Sequence, residues 1–355
     1  MLGIDPKAAR AAWTVFLLAL LVLAAYAIRQ TLAVFVIALL FAYLLMPLVG
    51  FVERMTPRQV SPRIALAIVY LALVGAIVAL GFTLGSRLAD EANALAMQLP
   101  ALVSNPQWMQ RVPLPSWLEP ARADIIQRVQ DELSSGGQQI LPYIKGIGGQ
   151  LATTAKYALY LVLIPILAFF FLKDGAAIRD DFVAALVEER RRPVVDNILE
   201  DINLLLGEYI RALVLLALAS FTANSIFLAA SGAPYAVLLA GISALGEFVP
   251  VVGPAAACIT VVLVTSLSGY PHVLLYIVFW LLYRLVQDYA LSPYLMSKGV
   301  QLNPMLVLFG VLAGEQIAGV LGMFLSVPVL AILRVLFVRL RRARTMDLVA
   351  PRGEV

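Results

Sequence analysis

Repeated apolar runs of membrane-spanning length constrain this chain more than any other feature of its sequence. A helix needs about 20 apolar residues to cross ~30 Å of hydrocarbon. Six runs are close to that length: residues 11–28, 31–51, 64–84, 157–172, 210–230 and 273–291. Two further runs, 235–267 and 304–338, are longer. Strand-like alternation is absent from the sequence, which therefore predicts an all-α polytopic membrane protein with about eight apolar segments.

Composition and charge agree with that class. Hydrophobic residues make up 62% of the 355 positions and charged residues 14%, whereas soluble domains are about 25% charged. The basic residues cluster beside the apolar runs, and the positive-inside rule then predicts that both termini are cytoplasmic. The basic tail favours contact with anionic lipids over nucleic acid. We expect a location in the bacterial cytoplasmic membrane.

The order of apolar and polar stretches predicts a linear organisation. Runs 11–28 and 31–51 are expected to pair as a hairpin of spans, because only two residues separate them. The predicted regions are three transmembrane helices (1–84), an extracytoplasmic insert of amphipathic helices (85–156), a transmembrane helix (157–172), a cytoplasmic helical arm (173–209), a transport core (210–338) and a basic tail (339–355).

Each long apolar run contains residues that break helices. Thirty-three helical residues would extend about 50 Å, more than ordinary tilt absorbs. Pro250, Gly253 and Pro254 interrupt the first run, and Gly319 and Gly322 interrupt the second. Proline removes a backbone donor and glycine permits a turn. The pattern predicts two broken or re-entrant helical hairpins, with simple kinks in fully crossing helices as the alternative.

The candidates for binding a small polar solute or an ion are three polar residues within apolar sequence together with the residues that break the two runs, Pro250, Gly253, Pro254, Gly319 and Gly322. Glu247 and Glu315 each follow a glycine shortly before a break, and this weak internal repeat indicates a transporter site where broken helices meet. Asn224 lies midway along run 210–230. The alternatives are glutamates at helix ends and an asparagine that joins helices.

A second polar group lies near the end of run 273–291. Arg284 and Asp288 are four residues apart, hence on one helix face, with Gln287 beside them. Charges at membrane depth are costly unless they face protein or water. We interpret the group as an ion pair, with ion coupling or gating as the alternative.

Several kinds of chemistry lack their sequence signatures. No Gly-x-x-x-x-Gly-Lys-Ser/Thr loop occurs, so transport would be secondary or passive. The one histidine, His272, follows a turn and is expected at the membrane interface, and no catalytic constellation accompanies it. The sequence therefore predicts neither an enzyme nor a bound cofactor or metal.

Three motifs in order resemble the autoinducer-2 exporter family of bacterial membrane proteins. They are "LIPILAFFFLKDG" at 163–175, "FVPVVGP" at 248–254 and "QDYALSPYLMSKGVQLNPMLVLFGVLAGEQIAGVLGMFLSVPVLAILRV" at 287–335. One departure is Ala212-Leu213, where family members commonly have Gly-Gln after Tyr-Ile-Arg. The resemblance covers essentially the full length of the chain.

The resemblance implies export of a signal molecule or another small polar solute, and similar proteins are linked to cation/proton exchange. It also implies a homo-oligomer, with a pentamer as one candidate. Our sequence-based hypothesis is a secondary-active transporter or exporter of the inner membrane, coupled to protons or sodium. An oligomeric channel, a cation/proton antiporter and a scaffold protein stay open as alternatives.

Overall fold

The fold consists of helices throughout the part of the chain that the structure describes. The structure is a computed structural model, and it describes residues 6–55, 62–104, 120, 127, 155–189, 191–295 and 302–349. No strand occurs among these residues, and the predicted all-α class is confirmed. The longer helices are α1 (Pro6–Ala27), α2 (Arg29–Met55), α3 (Pro62–Ser104), α4 (Ala155–Leu186), α5 (Arg192–Ala230), α6 (Ala236–Gly246), α7 (Val252–Leu267), α8 (Val273–Val286) and α9 (Pro304–Val349). A π-helical turn (Gln287–Leu291) and a four-residue helix (Ser292–Leu295) follow α8.

Five helical segments in the described ranges are long and apolar enough to cross a membrane. They are Arg29–Pro47, Tyr70–Gln98, Arg192–Ala230, Val273–Leu295 and Pro304–Arg339. Three shorter apolar helices accompany them: Ala12–Ala27, Ala236–Gly246 and Val252–Leu267. The chain is thus a multi-pass membrane protein.

The helices divide into two compact units, of which the first comprises residues 1–70 and 155–177. Within it, Tyr70 donates a hydrogen bond to the carbonyl of Pro165 and its ring packs edge-on against Phe169. The predicted α1–α2 hairpin is wrong. Ile28 N–H donates to the Ala24 carbonyl and Leu32 N–H to the Ile28 carbonyl, each at 3.0 Å. These i to i−4 bonds carry the helical path onward, because no glycine or proline lies there to reverse it.

The second unit comprises residues 71–154 and 178–355. Helix α3 is 43 residues long, so the insert predicted from residue 85 begins as a continuation of that helix up to Ser104. The amphipathic helices predicted further along the insert lie outside the described residues. The predicted arm 173–209 consists of the end of α4 and the beginning of α5, joined by a short turn.

The core of the second unit lies where α5, α6, α7 and α8 pack together. Tyr276 of α8, Leu228 of α5, Leu239 of α6 and Val261 of α7 are fully buried in one apolar cluster. Leu95 of α3 closes one side of it. Close van der Waals packing of these side chains, which is what drives association of helices in a membrane, holds α6 and α7 against α5.

The first long apolar run is broken between α6 and α7, at residues 247–251. Gly246 and Gly253 approach so closely that a Cβ on Gly246 would lie 2.8 Å from the Gly253 carbonyl oxygen. Val251 has φ 66° and ψ −56°, and Val252 N–H donates to the Pro250 carbonyl at 2.7 Å. This is a γ-turn with positive φ, a strained form for valine. Pro254 lies in the first turn of α7, where proline's missing donor costs little.

The second long run is broken within α9. Ala318 and Gly319 have non-helical backbone angles, and Gly319 has φ 59°. A Cβ on Gly314 would overlap the Gly322 carbonyl oxygen, and one on Gly310 would lie 2.6 Å from Leu330 Cδ1. Segment 304–317 therefore lies beside the segment that follows the break.

Candidate functional site

Polar side chains of three helices meet at the first break, in a group that we call the polar cluster. Its members are Ser220 and Asn224 of α5, Ser243 of α6, Glu247 at the break, Tyr276, Tyr283 and Arg284 of α8, and Gln287 just after α8.

Helical spacing brings these residues together. Ser220 and Asn224 are four residues apart on α5, and Ser243 and Glu247 are four apart at the end of α6. Residues four apart lie on the same helix face. Both pairs face α8, which itself presents Tyr276 and Tyr283 seven residues apart. The cluster therefore extends along three helices as a continuous polar contact within apolar sequence.

Glu247 is the buried carboxylate at the centre of the cluster. Gln287 Nε2 donates a hydrogen bond to Glu247 Oε2 at 2.6 Å. Arg284 Nη1 lies 3.6 Å from the same oxygen, and the Ser220 hydroxyl faces the carboxylate from α5. The Glu247 side chain is only 8% exposed. A carboxylate this buried requires such partners, and they fix it at the end of α6.

Arg284 is shared between two carboxylates. Its Nε donates to Asp288 Oδ2 at 3.1 Å, while its Nη1 lies near Glu247. The Asp288 side chain is 46% exposed, so Arg284 joins a buried acid to one at the edge of the cluster. With both acids ionised, these three residues carry a formal charge of −1. Such a group attracts a cation or a proton.

Gln287 owes its position to a π-helical turn. The turn spans Gln287–Leu291, and Ser292 N–H donates to the Gln287 carbonyl five residues earlier. Turns of this kind occur frequently at functional sites. Gln287 Oε1, Tyr283 OH and Arg284 Nη1 are buried without a hydrogen-bond partner among the described residues. The cluster thus holds both donor and acceptor atoms that a polar ligand could engage.

Asn224 continues the cluster away from the break. Its Nδ2 donates to the Ser220 carbonyl at 2.9 Å, and its Oδ1 accepts from Tyr276 OH at 3.2 Å. Asn224 and Tyr276 are almost completely buried, and Ser243 lies beside the Tyr276 hydroxyl. Asn224 therefore joins α5 to α8, one helical turn from Ser220 and Glu247.

The structure separates Glu315 from the other predicted polar residues. Its side chain is exposed, and it makes neither a hydrogen bond nor an ion pair with any residue that the structure describes. The predicted Pro250, Gly253, Pro254, Gly319 and Gly322 contribute backbone shape at the two breaks. Phe248 at the first break packs edge-on against Phe324 beyond the second, with ring centroids 5.7 Å apart. The breaks are therefore neighbours although their glutamates have different surroundings.

Sequence reasoning missed Ser220, Ser243, Tyr276 and Tyr283. The signal for both serines was available, because each lies four residues before a polar residue that the pattern had identified. No comparable signal marked the tyrosines, since aromatic residues in a span are typical of ordinary helix packing. Within the described residues, His, Cys, Asp and Glu side chains form no group of three suited to a metal ion.

Comparison with known proteins places the sequence in a family. The sequence profile described as AI-2E family transporter matches residues 15–342. The chain is 23% identical over 307 residues to YueF of Bacillus subtilis, covering 83% of this chain and 80% of YueF. It is 26% identical over 318 residues to a protein of Methanothermobacter thermautotrophicus, covering 86% and 87% of the two chains.

The match to YrrI of Bacillus subtilis is 27% identical over 202 residues and spans 57% of each chain. It therefore covers little more than half the length of that relative. All three relatives carry provisional transport-protein names. The names and the family description support a membrane transport role, and the predicted resemblance is confirmed. The chain belongs to the AI-2E family of transporters.

Proposed function

We propose that this protein is a secondary-active transporter or exporter of a small polar solute or signal molecule across the bacterial inner membrane. The observation that carries the proposal is the position of Glu247. This carboxylate is buried at a helix break, between apolar helices, and is held by Gln287 and Arg284. Ionisable groups at membrane depth are costly and mark solute or ion pathways.

The remaining chemistry of the cluster suits a polar solute. Gln287 Oε1 is a buried acceptor, Tyr283 OH a buried hydroxyl and Arg284 Nη1 a charged donor. None of these three atoms makes a hydrogen bond within the described residues, although Arg284 Nη1 faces Glu247 at 3.6 Å. An unsatisfied buried polar group costs roughly 1–3 kcal/mol. A solute that supplied the missing partners would recover part of that energy, and this favours binding at the cluster.

The formal charge of −1 on Glu247, Arg284 and Asp288 supports coupling to a proton or to sodium. A cation that neutralises Glu247 would leave Arg284 paired with Asp288 alone. The same arrangement favours a second candidate function, cation/proton antiport without an organic solute. In both cases Glu247 is the carboxylate that would give up its contact with Arg284 in order to bind the cation or the proton.

Re-entry of the two broken segments is part of the proposal. Helices α6 and α7 have 11 and 16 residues, or about 16 and 24 Å, less than the ~30 Å core. The close glycine contacts let each segment fold back on itself, and Phe248 against Phe324 joins the two breaks. Alternating access would then move this joined region relative to α5 and α8.

The proposed setting is a homo-oligomer in the cytoplasmic membrane with both termini in the cytoplasm. Arg339 and Arg341, in the C-terminal part of α9, support that orientation. A pentamer is the candidate stoichiometry, and membrane lipids are the surrounding partners. Native mass spectrometry from lipid nanodiscs would measure the number of subunits.

Counterflow in proteoliposomes tests the proposed transport. Vesicles are loaded with one unlabelled metabolite from a panel of small polar compounds, and a trace of the radiolabelled compound is added outside. We expect transient accumulation of at least one compound, altered by an imposed proton or sodium gradient. Glu247→Gln should abolish that alteration, whereas Glu315→Gln serves as the matched control and should retain it.

Two other outcomes would replace the proposal. A sodium gradient that moves protons without any added compound, measured with a pH dye inside the vesicles, would favour antiport. A steady conductance that is independent of solute and shows no counterflow would favour a channel. Identical coupling in wild type and Glu247→Gln would remove Glu247 from the mechanism.

A further inference from the structure

Helix α6 begins without a cap of its own. The first N–H groups of a helix lack partners within the helix and are usually capped by a nearby side chain. Tyr235 precedes α6 with φ 54° and makes no side-chain capping bond. Glu91 of α3 replaces that cap, because its Oε2 accepts from Leu238 N–H at 2.8 Å. The bond joins residues 147 positions apart in the sequence.

Helix α3 follows α6 beyond this single bond. Gln98 Oε1 accepts a hydrogen bond from Tyr235 OH at 2.8 Å. Leu88 lies against the other part of α6, with its Cδ2 3.2 Å from where a Cβ on Gly241 would be. Leu88, Glu91 and Gln98 are three and seven residues apart and therefore share one face of α3. A single face of α3 thus contacts Tyr235, just before α6, and then α6 itself from its first turn to its middle.

The opposite end of α6 leads directly to the polar cluster. Glu247 follows Gly246, the last residue of α6, and the 11 residues of α6 extend about 16 Å. A helix of that length moves as a rigid rod, so a displacement at Leu238 is transmitted to Glu247. A negative carboxylate at the helix N-terminus is also favourable to the helix dipole.

We propose that Glu91 is a positioning residue: it caps α6 from α3 and thereby sets where Glu247 lies relative to Arg284 and Gln287. This inference rests on the proposed function of Glu247 in transport. Glu91 itself belongs to no contact of the polar cluster. It acts through α6, and α3 becomes the element whose movement would change the cluster.

Hydrogen–deuterium exchange of the full-length protein in lipid nanodiscs tests the inference without any transport assay. The variants are Glu91→Ala, which removes the acceptor, Glu91→Gln, which keeps an oxygen acceptor, and Asp90→Ala as the matched control. Asp90 is an exposed carboxylate on the same helix. Exchange is measured in two segments, residues 236–240 at the start of α6 and 247–252 at the break.

We expect Glu91→Ala to accelerate exchange of both segments about fivefold, the scale of a lost helix cap. Glu91→Gln should restore most of the protection, and Asp90→Ala should leave both segments unchanged. Unaltered exchange of 236–240 in Glu91→Ala would overturn the capping role. Faster exchange of 236–240 with no change at 247–252 would overturn the positioning role.

The transport measurement then separates this inference from the proposed function. If Glu247→Gln leaves ion coupling intact while Glu91→Ala still loosens the break, the proposed function fails and the positioning contact stands. If Glu247→Gln abolishes coupling while Glu91→Ala matches wild type in both exchange and counterflow rate, Glu91 has no positioning role.

Discussion

At the first break, Gly246 precedes a glutamate and meets Gly253 across the turn, and at the second, Gly314 precedes a glutamate and meets Gly322. The backbone arrangement is therefore repeated. The glutamates are not equivalent, because Glu247 is buried in the polar cluster and Glu315 is exposed.

The comparison teaches that the repeated sequence pattern specifies a backbone shape and that the neighbouring helices specify the chemistry. Ser220, Arg284 and Gln287 come from α5 and from α8 with its π turn, and they surround only the first break. The second break contributes Phe324, which packs against Phe248. We therefore interpret the first break as the polar site and the second break as an apolar support that packs against it.

The largest expected effect follows from adding one methyl group to the paired glycines. In Gly253→Ala and in Gly322→Ala the new Cβ would overlap a backbone carbonyl. We expect each to lower the free energy of unfolding by roughly 3 kcal/mol, the scale of severe overpacking. Thermal unfolding of the detergent-solubilised protein, followed by size-exclusion chromatography, measures the loss.

Gly81→Ala is the control for that pair, because Gly81 lies within α3 and a Cβ there has no neighbour within 4 Å. It should be neutral or stabilise the protein by up to ~1 kcal/mol. Equal losses at Gly253 and Gly322 would support a shared backbone arrangement. A loss at only one of them would show that the breaks differ in shape as well as in chemistry.

The glycines also show how far the sequence could predict the fold. Helix type and the positions of the breaks follow from run length and from Pro250, Gly253 and Gly319, which are local signals. The α1–α2 hairpin was predicted wrongly, because two apolar runs separated by Arg29 and Gln30 contain no residue that forces a reversal. The length of an apolar run does not show whether the chain reverses after it.

The second prediction compares the two glutamates directly. Glu247→Gln removes the charge that Arg284 faces, whereas Glu315→Gln changes a side chain without polar contacts among the described residues. We expect Glu247→Gln to slow counterflow under an imposed proton or sodium gradient at least tenfold, which corresponds to about 1.4 kcal/mol. Glu315→Gln should slow it less than twofold. Comparable losses in the two variants would contradict a single polar site.

The third prediction concerns how Arg284 divides its charge. Asp288→Ala removes an exposed partner and should cost about 0.5 kcal/mol of stability, because Glu247 still faces Arg284. Arg284→Ala leaves Glu247 hydrogen-bonded to Gln287 but without a cation. It should lower stability by about 2 kcal/mol, less than the loss expected on breaking a fully buried ion pair. Thermal unfolding of both single variants and the double variant forms a double-mutant cycle.

A coupling energy of about 0.5 kcal/mol between Arg284 and Asp288 would agree with the observed 3.1 Å contact. If Asp288→Ala cost as much as Arg284→Ala, the exposed pair would dominate and Glu247 would not be the principal partner of Arg284.

The candidate site could be predicted only in part from the sequence, because some of its contacts join residues that are far apart in the chain. Arg284, Gln287 and Asp288 are close in the chain, so helical spacing predicted their neighbourhood. Their contact with Glu247 crosses 40 residues and depends on the π turn and on how α6 packs. No local pattern encodes such a packing arrangement, and Glu315, whose local pattern is similar, lacks it.

The smallest expected effect distinguishes how the two breaks achieve positive φ. At the first, Val251 adopts φ 66°, which is strained for a β-branched residue, and at the second, Gly319 adopts φ 59° without strain. Relieving strain of roughly 1–3 kcal/mol offsets the extra chain entropy of glycine, so Val251→Gly should raise stability by about 1 kcal/mol. Gly319→Ala should lower stability by a similar amount, although a Cβ there meets no atom within 4 Å.

Thermal unfolding of both variants shows whether each substitution raises or lowers stability, and counterflow shows whether the strain at Val251 contributes to transport. If Val251→Gly is more stable and slower, the strain at the first break contributes to the conformational change. If it is more stable and equally fast, the strain has no role in transport, and the two breaks differ only in the polar residues around them.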